Sequence, residues 1–108
     1  MMVELKALVR ERVRASAEEI AEFCQRWKIV EFALFGSVLR DDFRPDSDID
    51  VLVTFAAEDT LTWDDLMKMQ EEIEALFGRK VDLVRKKYLK NPYRRHEILK
   101  TQKVIYAV

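Results

Sequence analysis

A chain of 108 residues, 49% hydrophobic and 36% charged, has enough apolar material for one core under a heavily solvated surface, which excludes a disordered polypeptide and reads as one domain over 1–108. The single cysteine, Cys24, excludes an internal disulfide. No apolar run reaches the roughly 18–20 residues of a membrane span, and no signal-peptide core opens the chain, so a cytoplasmic protein is expected. Net charge is only −1, yet residues 41–78 hold 12 acidic against 2 basic side chains and residues 79–108 hold 10 basic against 2 acidic. That layout fits metal binding in one place and anion or partner contact in another, or simply two solvated faces of opposite sign.

Residues 4–14 place Leu5, Leu8, Val9 and Val13 at helical spacing. Ser16 and Glu19 have the form of a capping box that opens a helix with Ile20, Phe23, Cys24 and Trp27 on one stripe, either continuous with the first helix or kinked near Ser16. Cys24 and Trp27 read as core. Residues 29–35 (IVEFALF) form a strand that Gly36-Ser37 ends. Asp48 to Phe55 forms a second strand, with Ile49, Val51, Val53 and Phe55 on one face and Asp48, Asp50, Leu52 and Thr54 on the other. Thr62 and Asp65 cap a helix from Trp63 to Phe77 that turns Leu66, Met69, Ile73, Leu76 and Phe77 inward and ends at Gly78. Val81 to Val84 is a third strand. Asn91-Pro92 starts a helix that runs to about Lys100, and Lys103 to Val108 is a final strand or an extended tail. The order, α(α)βαβαβαβ-like, predicts an α/β (α+β) domain with one small mixed β-sheet flanked by helices.

The chemistry concentrates in Gly36-Ser37, ten residues, then Asp48-x-Asp50. Aspartates at i and i+2 of a strand project from one face with Cα atoms roughly 7 Å apart. Left alone they repel each other and resist desolvation, whereas a divalent cation removes both penalties. Magnesium favours hard oxygen ligands and combines one or two carboxylates with water and substrate phosphates. A glycine at a strand end lets the backbone approach a phosphate, and Ser37 adds a hydroxyl and an amide. The connection returns the second strand beside the first, so phosphates on Gly36-Ser37 would lie next to the aspartates. Asp82 alternates with Val81 and Leu83, and so shares a face with Asp48 and Asp50 if its strand adjoins theirs. Three carboxylates around two cations spaced roughly 3.5–4 Å is the geometry of phosphoryl and nucleotidyl transfer.

The stretches Leu34-Phe-Gly-Ser-Val-Leu-Arg40 and Arg44-Pro-Asp-Ser-Asp-Ile-Asp-Val-Leu-Val53 resemble the minimal nucleotidyltransferase branch of the DNA polymerase β-like superfamily, and the resemblance extends over essentially the whole chain. It implies the nucleotidyltransferase fold, ATP as substrate and a magnesium site at Gly36, Ser37, Asp48 and Asp50, with Asp82 a weaker match. It also implies an antitoxin paired with a HEPN-domain RNase toxin, silenced by transfer of AMP to a tyrosine. Relatives often carry Arg-Gly where Arg40 is followed by Asp41-Asp42, so Arg40 reads equally as a phosphate contact or a solvated arginine.

His96, the only histidine, has no partner set for a zinc site and reads as surface or helix packing. Residues 85–95 are basic and carry Tyr88 and Tyr93, but they match no nucleic-acid motif. A partner-docking surface or solvated charge is the preferred reading. Two alternatives to the transfer of AMP stand open: an antitoxin that acts by binding alone, and a nucleotidyltransferase that modifies a small molecule or a tRNA end.

Overall fold

The computed structural model describes residues 11–57 and 60–108. Residues 11–13 are helical and Arg14 takes a left-handed φ of 61°, so the helical chain breaks before Ser16. The rest of the helix expected over 4–14 lies outside the described residues. Helix α1 (Ala17–Trp27) opens on the expected capping box, Ser16 accepting from the Glu19 amide and Glu19 accepting from the Ser16 amide. Strand β1 (Ile29–Phe35), strand β2 (Ile49–Phe55), helix α2 (Trp63–Phe77), strand β3 (Val81–Arg85), helix α3 (Pro92–Thr101) and strand β4 (Lys103–Ala107) follow. The element after β1 is a short 3-10 helix over Gly36–Leu39, which ends where Arg40 returns to extended backbone. One expectation is corrected. Asp48 stands one residue ahead of β2, whose ladder begins where Ile49 meets Val81.

The strands form one mixed sheet in the order β3-β2-β1-β4. β1 runs antiparallel to β2 and to β4, whereas β2 and β3 are parallel. The final segment is therefore a paired strand rather than a loose tail. One face of the sheet carries Ile29, Phe32, Leu34, Ile49, Val51, Val53 and Phe55 against Ile20, Phe23 and Cys24 of α1 and Met69, Ile73 and Phe77 of α2. At its centre Phe32 meets Phe23 and Phe77 edge-on, with ring centroids 6.4 and 6.3 Å apart. That geometry suits the ring quadrupoles as well as burying area.

The other face divides in two. Ala33, Phe35 and Leu52 pack beneath Leu89 and Ile98, so α3 covers one half. The half left open holds the carboxylates. Among the described residues, no helix is long and apolar enough to cross a membrane.

Burial pushes the Cys24 thiol up to about 12. Native protein at about pH 8 should therefore resist an alkylating reagent, while denatured protein reacts as an ordinary thiol. Fast labelling of the native state would contradict the closed packing of α1 on the sheet.

Candidate active site

β2 is held on both sides, and its two neighbours set its register. Asp50 pairs with Phe35 on β1 and with Asp82 on β3, so Asp50 and Asp82 stand side by side on the open half-face. Their flanking residues Ile49, Val51 and Val81 are buried in the opposite core. The alternation of apolar and acidic residues thus fixes which way both carboxylates point. β3 is pinned as well: Gln70 of α2 donates to the Val81 carbonyl, and Glu74 accepts from the Val81 amide at 3.1 Å. A slip by one residue would break both contacts and turn Asp82 to the other face.

The turn between β1 and β2 meets Asp50 directly. Gly36 has φ +78°, and a Cβ built on it would fall 2.2 Å from Asp50 Oδ2. No L-side chain fits there, so the carboxylate rests against bare backbone. Val38 is fully buried and anchors the turn, while Ser37 is half-buried beside it. Arg12 donates to the carbonyls of Val38 at 3.0 Å and Arg40 at 2.6 Å.

The loop that leads to Asp48 is clamped by residues that sequence reasoning did not single out. Arg12 and Arg79 lie over the ring of Phe43, 4.8 and 4.6 Å from its centroid. Arg79 also donates to the carbonyls of Arg44 and Ser47, each at 3.1 Å. Ser47 closes the turn by accepting from the Arg44 amide at 3.0 Å. Asp48, exposed, follows this clamped turn immediately. Nothing local in the sequence pairs Arg12 or Arg79 with Phe43; the contacts span the fold.

Electrostatics join the three aspartates. Burial, then Asp82, then Asp48 raise the Asp50 carboxyl above its ordinary range, and Arg94 and Arg40 act weakly in the opposite sense. Arg94 is another residue the sequence did not flag. It stands in the first turn of α3, where the Asn91 side chain accepts from the Tyr93 and Arg94 amides. Arg40 itself pairs with Asp42 at 3.2 Å, both exposed. Among the described residues, no three His, Cys, Asp or Glu side chains form a ready-made metal cage. His96 is exposed, as are Tyr88 and Tyr93.

The family described as nucleotidyltransferase domain matches residues 17–105, a span that includes Gly36, Ser37, Asp48, Asp50 and Asp82. The chain belongs to that family. It is similar to the protein adenylyltransferase MntA of Thermococcus cleftensis, 39% identical over 70 residues, which cover 65% of this chain and 69% of that one. A provisionally named protein adenylyltransferase of Methanocaldococcus jannaschii is 30% identical over 90 residues, 83% of each chain. Among solved structures, a provisionally named minimal nucleotidyltransferase superposes with a TM-score of 0.69 at 33% identity, covering 93% of this chain and 97% of that one. A toxin–antitoxin crystal structure with AMP-PNP matches in fold, with a TM-score of 0.68 at 20% identity over 86% of this chain and 74% of that one. As a nucleotidyltransferase, the protein has its mixed four-stranded sheet and flanking helices in common with these structures.

The Gly36 contact has a direct test in a pair of nucleotidyltransferase variants. Gly78 has a φ of +73°, close to that of Gly36, but a Cβ there meets nothing nearer than 3.8 Å. Gly36→Ala and Gly78→Ala should each lose about 1–2 kcal/mol from the left-handed backbone, seen in urea unfolding. Only Gly36→Ala should also lose nucleotide binding in calorimetry. Equal nucleotide binding by both variants would show that the Asp50 approach does not matter.

Proposed function

We propose that this protein is an antitoxin that transfers AMP from ATP to a tyrosine of a HEPN-family RNase toxin. Asp48 and Asp50 hold magnesium, and Asp82 serves as a further ligand or as the base. The observation that carries the reading is the seat of Asp50, pressed on the bare Gly36 backbone with Asp82 in register beside it. Relatives named protein adenylyltransferases support the transfer of AMP. A structural neighbour described as a tri-AMPylated HEPN toxin of Shewanella oneidensis in complex with an MNT antitoxin supports the partner, at a TM-score of 0.60.

The donor set suits magnesium. Carboxylate oxygens only accept, and one or two of them suffice when substrate phosphates supply further ligands. The Asp50 carboxyl is raised first by burial and then by repulsion from Asp82 and Asp48, and a bound cation would offset both. When bound, magnesium supplies Lewis acidity at the reacting phosphate and charge neutralisation for the departing pyrophosphate.

The chain's own groups do the rest. In this reading the Gly36 and Ser37 amides and the Ser37 hydroxyl donate to phosphate oxygens at the turn. A tyrosine oxygen attacks the α-phosphorus, and a new O–P bond forms as the α–β bridging bond breaks and pyrophosphate leaves. The phenolic proton passes to the exposed Asp82 carboxylate. Arg40 and Arg94 add positive potential near the transferred group, where negative charge is densest.

With magnesium, α-labelled ATP and the partner toxin, the protein should place label on a toxin tyrosine. Asp48→Ala and Asp50→Ala should each reduce that label to background. Robust labelling by both variants would remove the proposed site. Toxin inhibition that persists without ATP and in both variants would instead establish neutralisation by binding alone.

A further inference from the structure

Half of α3 packs on nothing in this chain. Lys90 to Glu97 are all exposed, so the helix turns no residue into the core before Ile98. Tyr93, in its first turn, is 87% exposed. A helix of 10 residues is marginal in water, and burial of an apolar face normally makes up the difference. Here local contacts hold the first turn instead: the Asn91 cap, Pro92 at the helix start, and Arg95 donating to the Leu89 carbonyl at 3.1 Å. The turn before the helix presents a second exposed ring. Arg85 and Lys87 lie over Tyr88, 4.8 and 5.5 Å from its centroid.

Residues 85–97 carry six basic side chains against one acidic, Glu97. Lys86 pairs with Glu31 at 3.2 Å, whereas Lys90 and Arg94 make no ion pair among the described residues. Place matters as much as charge. Leu89 and Ile98, which flank the exposed stretch, pack on Phe35 and Leu52. Phe35 is the β1 partner of Asp50, and Leu52 follows Asp50 by two residues on the same face. This basic and aromatic shoulder therefore borders the open half-face where an acceptor must enter. Asp50, raised by burial and by its carboxylate neighbours, feels Arg94 in the opposite sense.

A partner that covers the shoulder needs apolar surface for Tyr93 and carboxylates for Lys90 and Arg94. Tyrosine and arginine are residues on which binding energy concentrates at protein interfaces, while peripheral lysines steer the approach. We infer that residues 87–95 dock the acceptor protein, through an acidic surface beside the residue that is modified. The inference rests on the transfer reading, because it takes the acceptor to be a protein that enters at the aspartates. Docking and chemistry are then separable: Tyr93 and Lys90 serve the acceptor and not the nucleotide.

The test is calorimetric titration with the partner HEPN toxin, without ATP, on wild type, Tyr93→Ala and Lys90→Glu. Tyr93→Ala should weaken toxin binding about thirtyfold and Lys90→Glu about tenfold. Added salt should weaken wild type, and Lys90→Glu less steeply. A non-hydrolysable ATP analogue should bind all three alike, and thermal unfolding should place them at one midpoint, since both residues are exposed. Toxin binding unchanged in both variants would place docking elsewhere and overturn the inference, with transfer untouched. Salt-insensitive binding by wild type would overturn the acidic partner surface. Binding of a short oligouridine that both variants lose, with the toxin unaffected, would make the shoulder an RNA contact. A wild-type dimer that Lys90→Glu dissociates would make it a contact between copies. Either result overturns the inference. Wild type that fails to bind the toxin would overturn this inference and the partner reading together. Toxin binding that the variants lose, with no AMP transferred by wild type, would overturn the transfer reading alone and leave a surface for neutralisation by binding.

Discussion

A carboxylate oxygen lies where a side chain would otherwise begin, and the rest of the site follows from that contact. Asp50 Oδ2 can approach the Gly36 backbone because the glycine lacks a Cβ and takes a positive φ. The approach requires β1 and β2 in one register, with Phe35 opposite Asp50, and the ten-residue connection returning tightly. It therefore constrains the loop as much as the strands. Arg12 and Arg79, both over the Phe43 ring and bonded to loop carbonyls, hold the connection in the shape the register needs. Polar backbone in such a loop would otherwise be satisfied by water and free to move.

The sheet is asymmetric for the same reason. A fully covered second face would desolvate Asp48, Asp50 and Asp82 together, a cost that no neighbouring cation would offset. A fully open face would leave Phe35 and Leu52 in water. α3 and Leu89 lie over the apolar half and stop short of the carboxylates. Asp50 is half-buried while Asp48 and Asp82 are exposed. The gradient from buried to exposed within one acidic group lets Asp50 be fixed by packing while its neighbours stay reachable.

Much of this was legible because the signals were local. Period-two alternation through Ile49 to Phe55 and Val81 to Leu83 assigned the faces, and capping residues at Ser16, Thr62 and Asn91 marked helix starts that the structure keeps. Gly36, Ser37, Asp48, Asp50 and Asp82 were picked out by residue type and spacing, and the fold brings Gly36, Asp50 and Asp82 together as expected. What was not legible depends on partners distant in sequence. Nothing near Phe43 in sequence marks it as the ring that Arg12 and Arg79 both cover. Arg94 passed for surface charge, since its influence on Asp50 exists only once α3 folds back over the sheet. The length of the 3-10 turn was not legible either, since it ends only where Arg40 returns to extended backbone.

Charge segregation along the chain acquires its meaning at this site. The acidic stretch supplies Asp48 and Asp50, and the basic tail folds back to bring Arg94 to the same face. Had a tail arginine paired directly with Asp50, its carboxyl would be held low and its oxygens occupied. Instead burial and the two neighbouring aspartates prevail over Arg94 and Arg40, and Asp50 stays raised. Among the described residues no cation captures an Asp50 oxygen, so the carboxylates remain open to the proposed metal ion while the surrounding field favours a polyanion. An acidic cluster alone would repel a nucleotide, and a basic cluster alone would hold no cation. The fold sets the two charge blocks, separate in sequence, side by side at this site.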